Sequence, residues 1–397
     1  MTLPLKHTGI AAIIAVSFAM QALATDVVVA SMPAMAQFFG IPPSSGQVTL
    51  SVFVAGVALT QLIYGPLSDR YGRRPVLVAG GLLFTIASAA CALAPSIELM
   101  IVARFVQGVG ACAAVVVSRA VVRDIHGAEG AARVLSYISS AMAMLILLGP
   151  MIGGALQQMF DWRSVYVFLG AGAGVLTAAY AWLLPESNPH IGAVNFRLGK
   201  LPGQIRSMLA SRKFLGNTFC VCGTSAAVLS FLSAAPFVMI SQLGYSPQRF
   251  GILLGLCTAG YVIGTFAGGR LMNRHGAMRL MNIGTLVVAV SGITMLSLAL
   301  AGVTSAAAIL LPYFVFLLGN GFVQPAAMAG AISPFPKLAG TASAVMGLFM
   351  QASGATAGFL VVRMHDGSAV PMSVAIAVAS LAMLASYRLL LRPMTPA

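Results

Sequence analysis

Two ionisable side chains, Asp26 and Arg104, lie deep within apolar segments of the chain. An ionised group at membrane depth costs roughly 2.5–3.5 kcal/mol even on lenient insertion scales, so each needs a function or a partner. A carboxylate there can take up and release a proton. A neighbouring guanidinium can hold it ionised, while loss of water favours its neutral form. Between Glu186 and Asp366 there is no acidic residue, so proton coupling through a carboxylate is expected in the first half. Measured from the ends of their segments, Asp26 and Arg104 lie about 6 and 10 Å below the same outer face, within reach of each other if both helices face one cavity. Two readings stand side by side: a proton switch, and a static ion pair that orients two helices. Gln107, one turn from Arg104, can hold the guanidinium. Arg119 is expected to snorkel as an anchor, and Glu98 to cap a helix at the outer mouth. The five cysteines (Cys91, Cys112, Cys220, Cys222, Cys257) all lie in apolar segments and read as small packing residues without a metal or disulfide role.

The elements that must position these groups follow from composition. Of 397 residues, 59% are hydrophobic and only 8% charged, against roughly a quarter charged in soluble domains. A water-soluble core could not bury that much apolar surface, so the bilayer is the solvent. Apolar stretches of about 20 residues occur at Gly9–Ala30, Gly46–Pro66, Pro75–Ala94, Ile97–Val121, Arg133–Gln157, Arg163–Leu184, Phe214–Ile240, Gln248–Gly269, Arg279–Leu300, Ser305–Gly330, Leu338–Val362 and Ala369–Leu391. The fold class expected is all-α and membrane-embedded, with twelve transmembrane helices and short loops.

Cations sort by side. Lys6, Arg70, Arg73, Arg74, Arg123, Arg133, Arg197, Lys200, Arg206, Arg212, Lys213, Arg270, Arg274, Arg279, Lys337, Arg388 and Arg392 fall on one side, and Arg163, Arg249 and Arg363 on the other. The positive-inside rule then places both termini in the cytoplasm. A net charge of +14 raises nucleic acid as a partner, but cations in short loops without interleaved aromatics read as topology signals and contacts with anionic lipid. A signal peptide ending at Ala22-Leu23-Ala24 would spoil the alternation of charge.

A polar connection, residues 186–213, separates a six-span bundle (1–185) from a second (214–397). The halves look related: Gly65-Pro-Leu-Ser-Asp-Arg-Tyr-Gly72 and Gly269-Arg-Leu-Met-Asn-Arg-His-Gly276 share Gly, Leu, Arg and Gly at an offset of 269 − 65 = 204 residues. Two pseudo-symmetric bundles with a ligand site between them form a secondary-transporter plan.

On these residues the chain resembles the major facilitator superfamily. The stretch Gly65-Pro-Leu-Ser-Asp-Arg-Tyr-Gly-Arg-Arg74 resembles its signature after the second helix, Arg104-Phe-Val-Gln-Gly-Val-Gly110 its fourth-helix motif, and Gly149-Pro150-Met-Ile-Gly153-Gly154 the fifth-helix motif of drug/proton antiporters. The narrower likeness is to the Bcr/CflA group of bicyclomycin and chloramphenicol exporters, through Gln47-Val-Thr-Leu-Ser51, Gln61-Leu-Ile-Tyr-Gly65, Val122-Arg-Asp124, Asp161-Trp-Arg163, Phe231-Leu-Ser-Ala-Ala-Pro-Phe237 and Ala339-Gly-Thr-Ala-Ser343. In that group the Asp of the first helix is usually followed by Tyr-Leu-Pro, whereas Asp26 is followed by Val27-Val-Val-Ala30.

The resemblance implies proton-coupled efflux of small amphipathic, neutral or monocationic antimicrobial compounds across a bacterial inner membrane, by a monomer that needs protons and lipid but no cofactor. It implies a latch between the halves built from Gly65, Asp69, Arg70, Gly72, Arg73 and Arg74, joined by Arg123 and Asp124. It also implies a close helix contact at Gly149, Pro150, Gly153 and Gly154, in the middle of span 5, though generic glycine packing reads equally well there. The substrate cavity is expected among Phe53, Tyr137, Phe231, Tyr261, Asn320, Gln324, Met350 and Gln351. A metabolite or nutrient porter on the same scaffold is the alternative. An enzyme is not expected, since no acid/base or metal cluster appears.

Overall fold

The computed structural model describes the backbone of residues 5–188, 191, 201–364 and 366–391, and the side chains of these outside 5–8, 11, 19, 43–45, 126–147, 201, 273 and 337. The described elements are helices, in the order α1 (Leu5–Val29), α2 (Met32–Phe38), α3 (Pro43–Thr60), α4 (Tyr64–Tyr71), α5 (Arg73–Ala92), α6 (Ile97–Met159), α7 (Trp162–Leu183), α8 (Leu201–Leu209), α9 (Arg212–Pro236), α10 (Pro247–His275), α11 (Ala277–Leu300), α12 (Ala306–Ile332), α13 (Ala339–Arg363) and α14 (Val370–Ser386). Large apolar side chains stand exposed on the outer faces, among them Ile86, Val175, Trp182, Val290 and Leu311. Such a continuous apolar exterior suits lipid rather than water.

Nine of the described helical stretches are long and apolar enough to cross a bilayer, and two bent pairs add two more. The twelfth span is the second limb of α6. A straight helix would put Arg104 about 70 Å from Gly153 at 1.5 Å per residue, yet Arg104 bonds the Ala24 carbonyl and Gly153 abuts Val27 on the same helix. The 63-residue run therefore doubles back on itself, where the sequence suggests two helices and a loop.

Span 2 is broken rather than continuous. α3 and α4 meet at a bend of 51°, because Pro66 has no N–H for the Leu62 carbonyl and its ring would strike that carbonyl in an unbroken helix. In the first turn of α4 the missing donor costs nothing. Pro236 acts similarly near the end of α9, where the chain passes into a π-helical turn, Phe237–Gln242. A second π turn, Tyr387–Leu391, ends α14. The short helices α2 and α8 are additions to the sequence expectation.

The octapeptide repeat has a structural counterpart. Gly72 has φ +97° and Gly276 φ +77°, a region open to glycine and costly for side chains, and 276 − 72 is again 204. Each glycine starts the following helix, α5 or α11, at the end of the bundle where cations concentrate. This is the charge-rich end; the ends of α6 and α7 near Asp161 mark the charge-poor end.

Within the first half α1, α3 and α5 pack on α6, and α7 on α5; within the second, α9 packs on α13 and α14, and α12 on α10 and α11. The halves meet mainly through α6 against α10 and α3 against α13.

Candidate functional site

Arg104 is wholly buried, and its site is built from α1, α3, α5, α6 and α7. Its Nη1 donates to Gln107 Oε1 at 2.5 Å, Nη1 and Nη2 donate to the Ala24 carbonyl at 3.3 Å, and Nε donates to the Thr49 carbonyl at 3.4 Å. The Phe53 ring lies 4.4 Å and the Tyr166 ring 5.7 Å from its Cζ. Gln107 Nε2 in turn donates to Ser88 Oγ at 2.7 Å. Carbonyls and ring faces thus supply what an acid would have supplied.

The expected partnership with Asp26 is not formed. No ion pair joins Arg104 to Asp26 among the described residues. Arg104 bonds the backbone at Ala24, and two residues along a helix is about 200° of rotation, so the Asp26 side chain leaves on the other side of α1. There it meets the returning limb of α6: a Cβ placed on Gly149 would lie 3.1 Å from Asp26 Cβ and 3.9 Å from Oδ2. Among the described residues Asp26 thus has no ion-pair partner, and it lies partly exposed beside the seam between the halves.

The glycine-proline motif forms that seam. A side chain at Gly153 would overlap the Val27 carbonyl, one at Gly154 the Pro247 carbonyl, and one at Gly251 the Pro150 carbonyl. Backbone therefore touches backbone both within the first half (α1 with α6) and between halves (α6 with α10). The motif lies toward the charge-poor end, Gly154 being five residues from the end of α6 at Met159, and not in the middle of the span.

The charge cluster after span 2 closes on itself. Arg73, 4% exposed, donates from Nη1 to Asp69 Oδ1 at 2.6 Å and Ser68 Oγ at 2.7 Å, and from Nε to Asp124 Oδ2 at 2.9 Å. Arg70 and Arg123 are exposed, and Arg74 Nη2 donates to the Ala181 carbonyl. Among the described residues these partners all come from the first half, and no contact of the cluster there reaches the second half in this conformation.

Glu186, which sequence reasoning passed over, completes the cluster. Its Oε1 accepts from the N–H of Arg73 at 2.9 Å, Ser187 at 3.0 Å and Asn188 at 2.9 Å, and its Oε2 from the N–H of Arg74 at 3.1 Å. It occupies the N-terminus of α5, where free N–H groups and the helix dipole favour an anion. Gly72 leaves room for it, since a Cβ there would lie 2.6 Å from Oε2. The signal was an acid at the charge-rich end of span 6 in a chain with only eight acids.

Burial works to raise the Glu186 pKa, but the N–H donors from Asn188, Arg73, Arg74 and Ser187 outweigh it and hold the carboxyl below its ordinary value of 4.5. A depressed folded-state pKa gives stability that is present above the ordinary value and lost as pH falls through the folded one. Glu186→Gln is accordingly expected to lower the thermal midpoint at pH 7, and to flatten the loss of midpoint that the wild type shows on acidification below about pH 4.5. Equal acid sensitivity in both proteins would show that the α5 terminus does not depend on this anion.

The proposed cavity residues divide. Phe53 is the ring beneath Arg104 and belongs to the interior of the first half. Phe231 stacks flat on Tyr313, ring centroids 3.5 Å apart, and Asn320 Oδ1 accepts from Thr224 Oγ1 at 2.7 Å. These three are packed shut, contrary to expectation, because each has found an internal partner. Tyr261, Gln324, Met350 and Gln351 are half-buried, and Tyr137 lies outside the described side chains. Two open spaces of about 500 Å³ occur elsewhere, one between Pro33, Gln37, Phe237 and Ile240 at the charge-poor end and one on the lipid side between α9 and α14. None of the seven described residues lines either.

Arg119 also departs from expectation. Its Nη1 donates to Ser343 Oγ of α13 at 3.4 Å, and its Cζ lies 5.6 Å from the Phe18 ring, so it turns inward to the seam instead of snorkelling. Ser96 caps α6 by accepting from the Leu99 N–H, and Glu98 lies in the first turn. The five cysteines are free, and the described residues contain no cluster fit to hold a metal ion.

Comparison with known proteins agrees with this architecture. A family model described as Major Facilitator Superfamily matches residues 14–359. The chain is 29% identical over 325 residues to the chloramphenicol resistance protein of Pseudomonas aeruginosa, covering 81% of this chain and 76% of that protein. It is 27% identical over 349 residues to the bicyclomycin resistance protein homolog of Haemophilus influenzae, covering 87% of each. In fold it is similar to the E. coli xylose transporter XylE in a partially occluded inward open conformation, with a TM-score of 0.78 at 13% identity, covering 98% of this chain and 99% of that one.

Proposed function

The chain belongs to the Major Facilitator Superfamily, and on that premise we propose that it is a drug/proton antiporter that exports small amphipathic, neutral or monocationic antimicrobial compounds. As a family member it is a multi-pass membrane transporter of small molecules and not an enzyme. The relatives named for chloramphenicol and bicyclomycin resistance support efflux of drug-like compounds. The export direction, the bacterial inner membrane, cytoplasmic termini at the charge-rich end and a monomer that uses only the proton gradient belong to the same reading.

The observation that carries it is Asp26, a membrane-depth carboxylate with no cation beside it among the described residues, set against Gly149 and the seam. Leaving it ionised there costs roughly 2.5–3.5 kcal/mol, a cost relieved by a proton or by a polar or cationic group of the substrate. Exchange of one for the other couples the two fluxes. When the seam between α6 and α10 parts, Asp26 meets the outer solution and takes a proton; when the opposite end opens, it releases that proton and the site is ready for substrate. Arg104, fully occupied by backbone and rings, positions α1, α3 and α6 around this carboxylate and does not pair with it. Exchange of a neutral compound for one proton would gain about 2.3 kcal/mol per 100 mV.

Proton flux in energised everted vesicles tests the reading. Addition of a panel of chloramphenicol-type compounds is expected to collapse part of the pH gradient in vesicles holding the protein and not in empty ones. No response to any of them would favour the alternative, a metabolite porter on the same scaffold.

A further inference from the structure

We propose that Arg119 is a docking group for the transported compound, and that the compound presents to it a planar group with two acceptor oxygens on an aromatic ring, a nitro group or, in a zwitterion without net charge, a carboxylate. The inference deepens the export reading above and rests on it for its physiological meaning.

The two arginines of α6 make the argument by contrast. Arg104 has carbonyls, an amide oxygen and two ring faces, all contributed by the first half, and nothing about it needs to change during transport. Arg119 has, among the described residues, one acceptor: the neutral hydroxyl of Ser343, at 3.4 Å, the outer limit of a hydrogen bond. That hydroxyl belongs to α13 of the other half, so it withdraws whenever the halves part. None of the described carboxylates pairs with Arg119: Asp69 and Asp124 are taken by Arg73, and Asp161 faces Arg163. A guanidinium always carries its charge and holds five donors in a rigid fork. Half-buried and with one weak neutral partner among the described residues, it is under-served.

Location adds the second observation. The guanidinium lies where α1, α6 and α13 converge, with the Phe18 ring 5.6 Å away, in the half of α6 nearer the charge-rich end. A compound entering from that end would meet the fork before it met Asp26. The fork matches carboxylate and nitro groups edge to edge, and Phe18 offers an apolar face to the ring that bears them.

Binding by the full-length protein in detergent, with three acetanilides carrying 4-nitro, 4-carboxylate or 4-methyl, tests this without transport or protons. The wild type is expected to bind the nitro and carboxylate compounds at least about tenfold more tightly than the methyl compound. Arg119→Gln should erase that preference and leave the methyl compound's affinity unchanged, which also reports an intact fold. Arg119→Lys, a charge without a fork, should retain part of the carboxylate preference and lose the nitro preference. Ser343→Ala should leave the preferences in place. A wild type that does not discriminate, a preference that survives Arg119→Gln, or a Ser343→Ala variant that behaves like Arg119→Gln would overturn the proposal; the last would assign Arg119 to holding the halves together. Failure of antiport alone would appear as absent drug-evoked proton flux with these preferences intact.

Discussion

Asp26→Asn is expected to abolish drug-evoked collapse of the pH gradient in everted vesicles while leaving the protein folded and able to exchange labelled drug for unlabelled drug down its gradient. Asparagine keeps the size and loses only the proton, and no ion pair is broken because none is formed there. Thermal midpoints of the two proteins should therefore agree closely, which separates this outcome from simple misfolding. Asp26→Glu keeps the proton but carries the carboxyl one methylene farther from α1, out of the space beside Gly149 that only the absence of a side chain there leaves to Asp26, and should slow coupled transport without abolishing it. Full gradient-driven transport by Asp26→Asn would remove the proton from this position.

Gly154→Val is expected to have an effect of the same size by another route. Its side chain would be driven into the Pro247 carbonyl of α10, backbone that cannot swing aside like a flexible side chain. The halves would be wedged apart at the charge-poor end, costing about 1–3 kcal/mol of packing strain in the conformation described here and preventing the return that completes each cycle. Gly251→Val, which meets the Pro150 carbonyl from the opposite side, should reproduce it. Gly153→Val should instead reduce folding yield, since it clashes with Val27 inside the first half. Gly269→Ala, with nothing within 4 Å of the added carbon, serves as the silent control. Normal transport by both seam variants would mean that α6 and α10 need not approach this closely.

What the sequence makes legible is governed by distance along the chain. Spans are visible because burial in lipid imposes its requirement on consecutive residues, and Gln107 is visible beside Arg104 because one helical turn separates them. Asp69 and Arg73, four residues apart, are a pair of the same kind. Glu186 and Arg73 are separated by 113 residues, and their contact is backbone to side chain, which no pairing of charges announces. The supposed Asp26–Arg104 pair fails for a related reason. Depth can be counted from the sequence, but rotation about the helix axis decides that Ala24 faces the guanidinium and Asp26 does not. Proline marks the break at Pro66 in advance. Which aromatic residues are free to meet a substrate depends on partners such as Tyr313, whose stacking on Phe231 only the packed structure reveals.

The self-contained charge cluster of the first half bears on biosynthesis. Asp69, Arg73, Asp124, Glu186 and the N–H groups that clasp it all precede residue 189, so every one of these contacts is available once the sixth span has left the ribosome. Among the described residues no charge cluster of this kind stands at the matching turn of the second half, where Tyr387 donates a neutral hydrogen bond to the Met278 carbonyl at 2.8 Å. The first six helices can therefore settle into a finished unit in the membrane while the rest is still being translated, and the later helices assemble against a surface already in place.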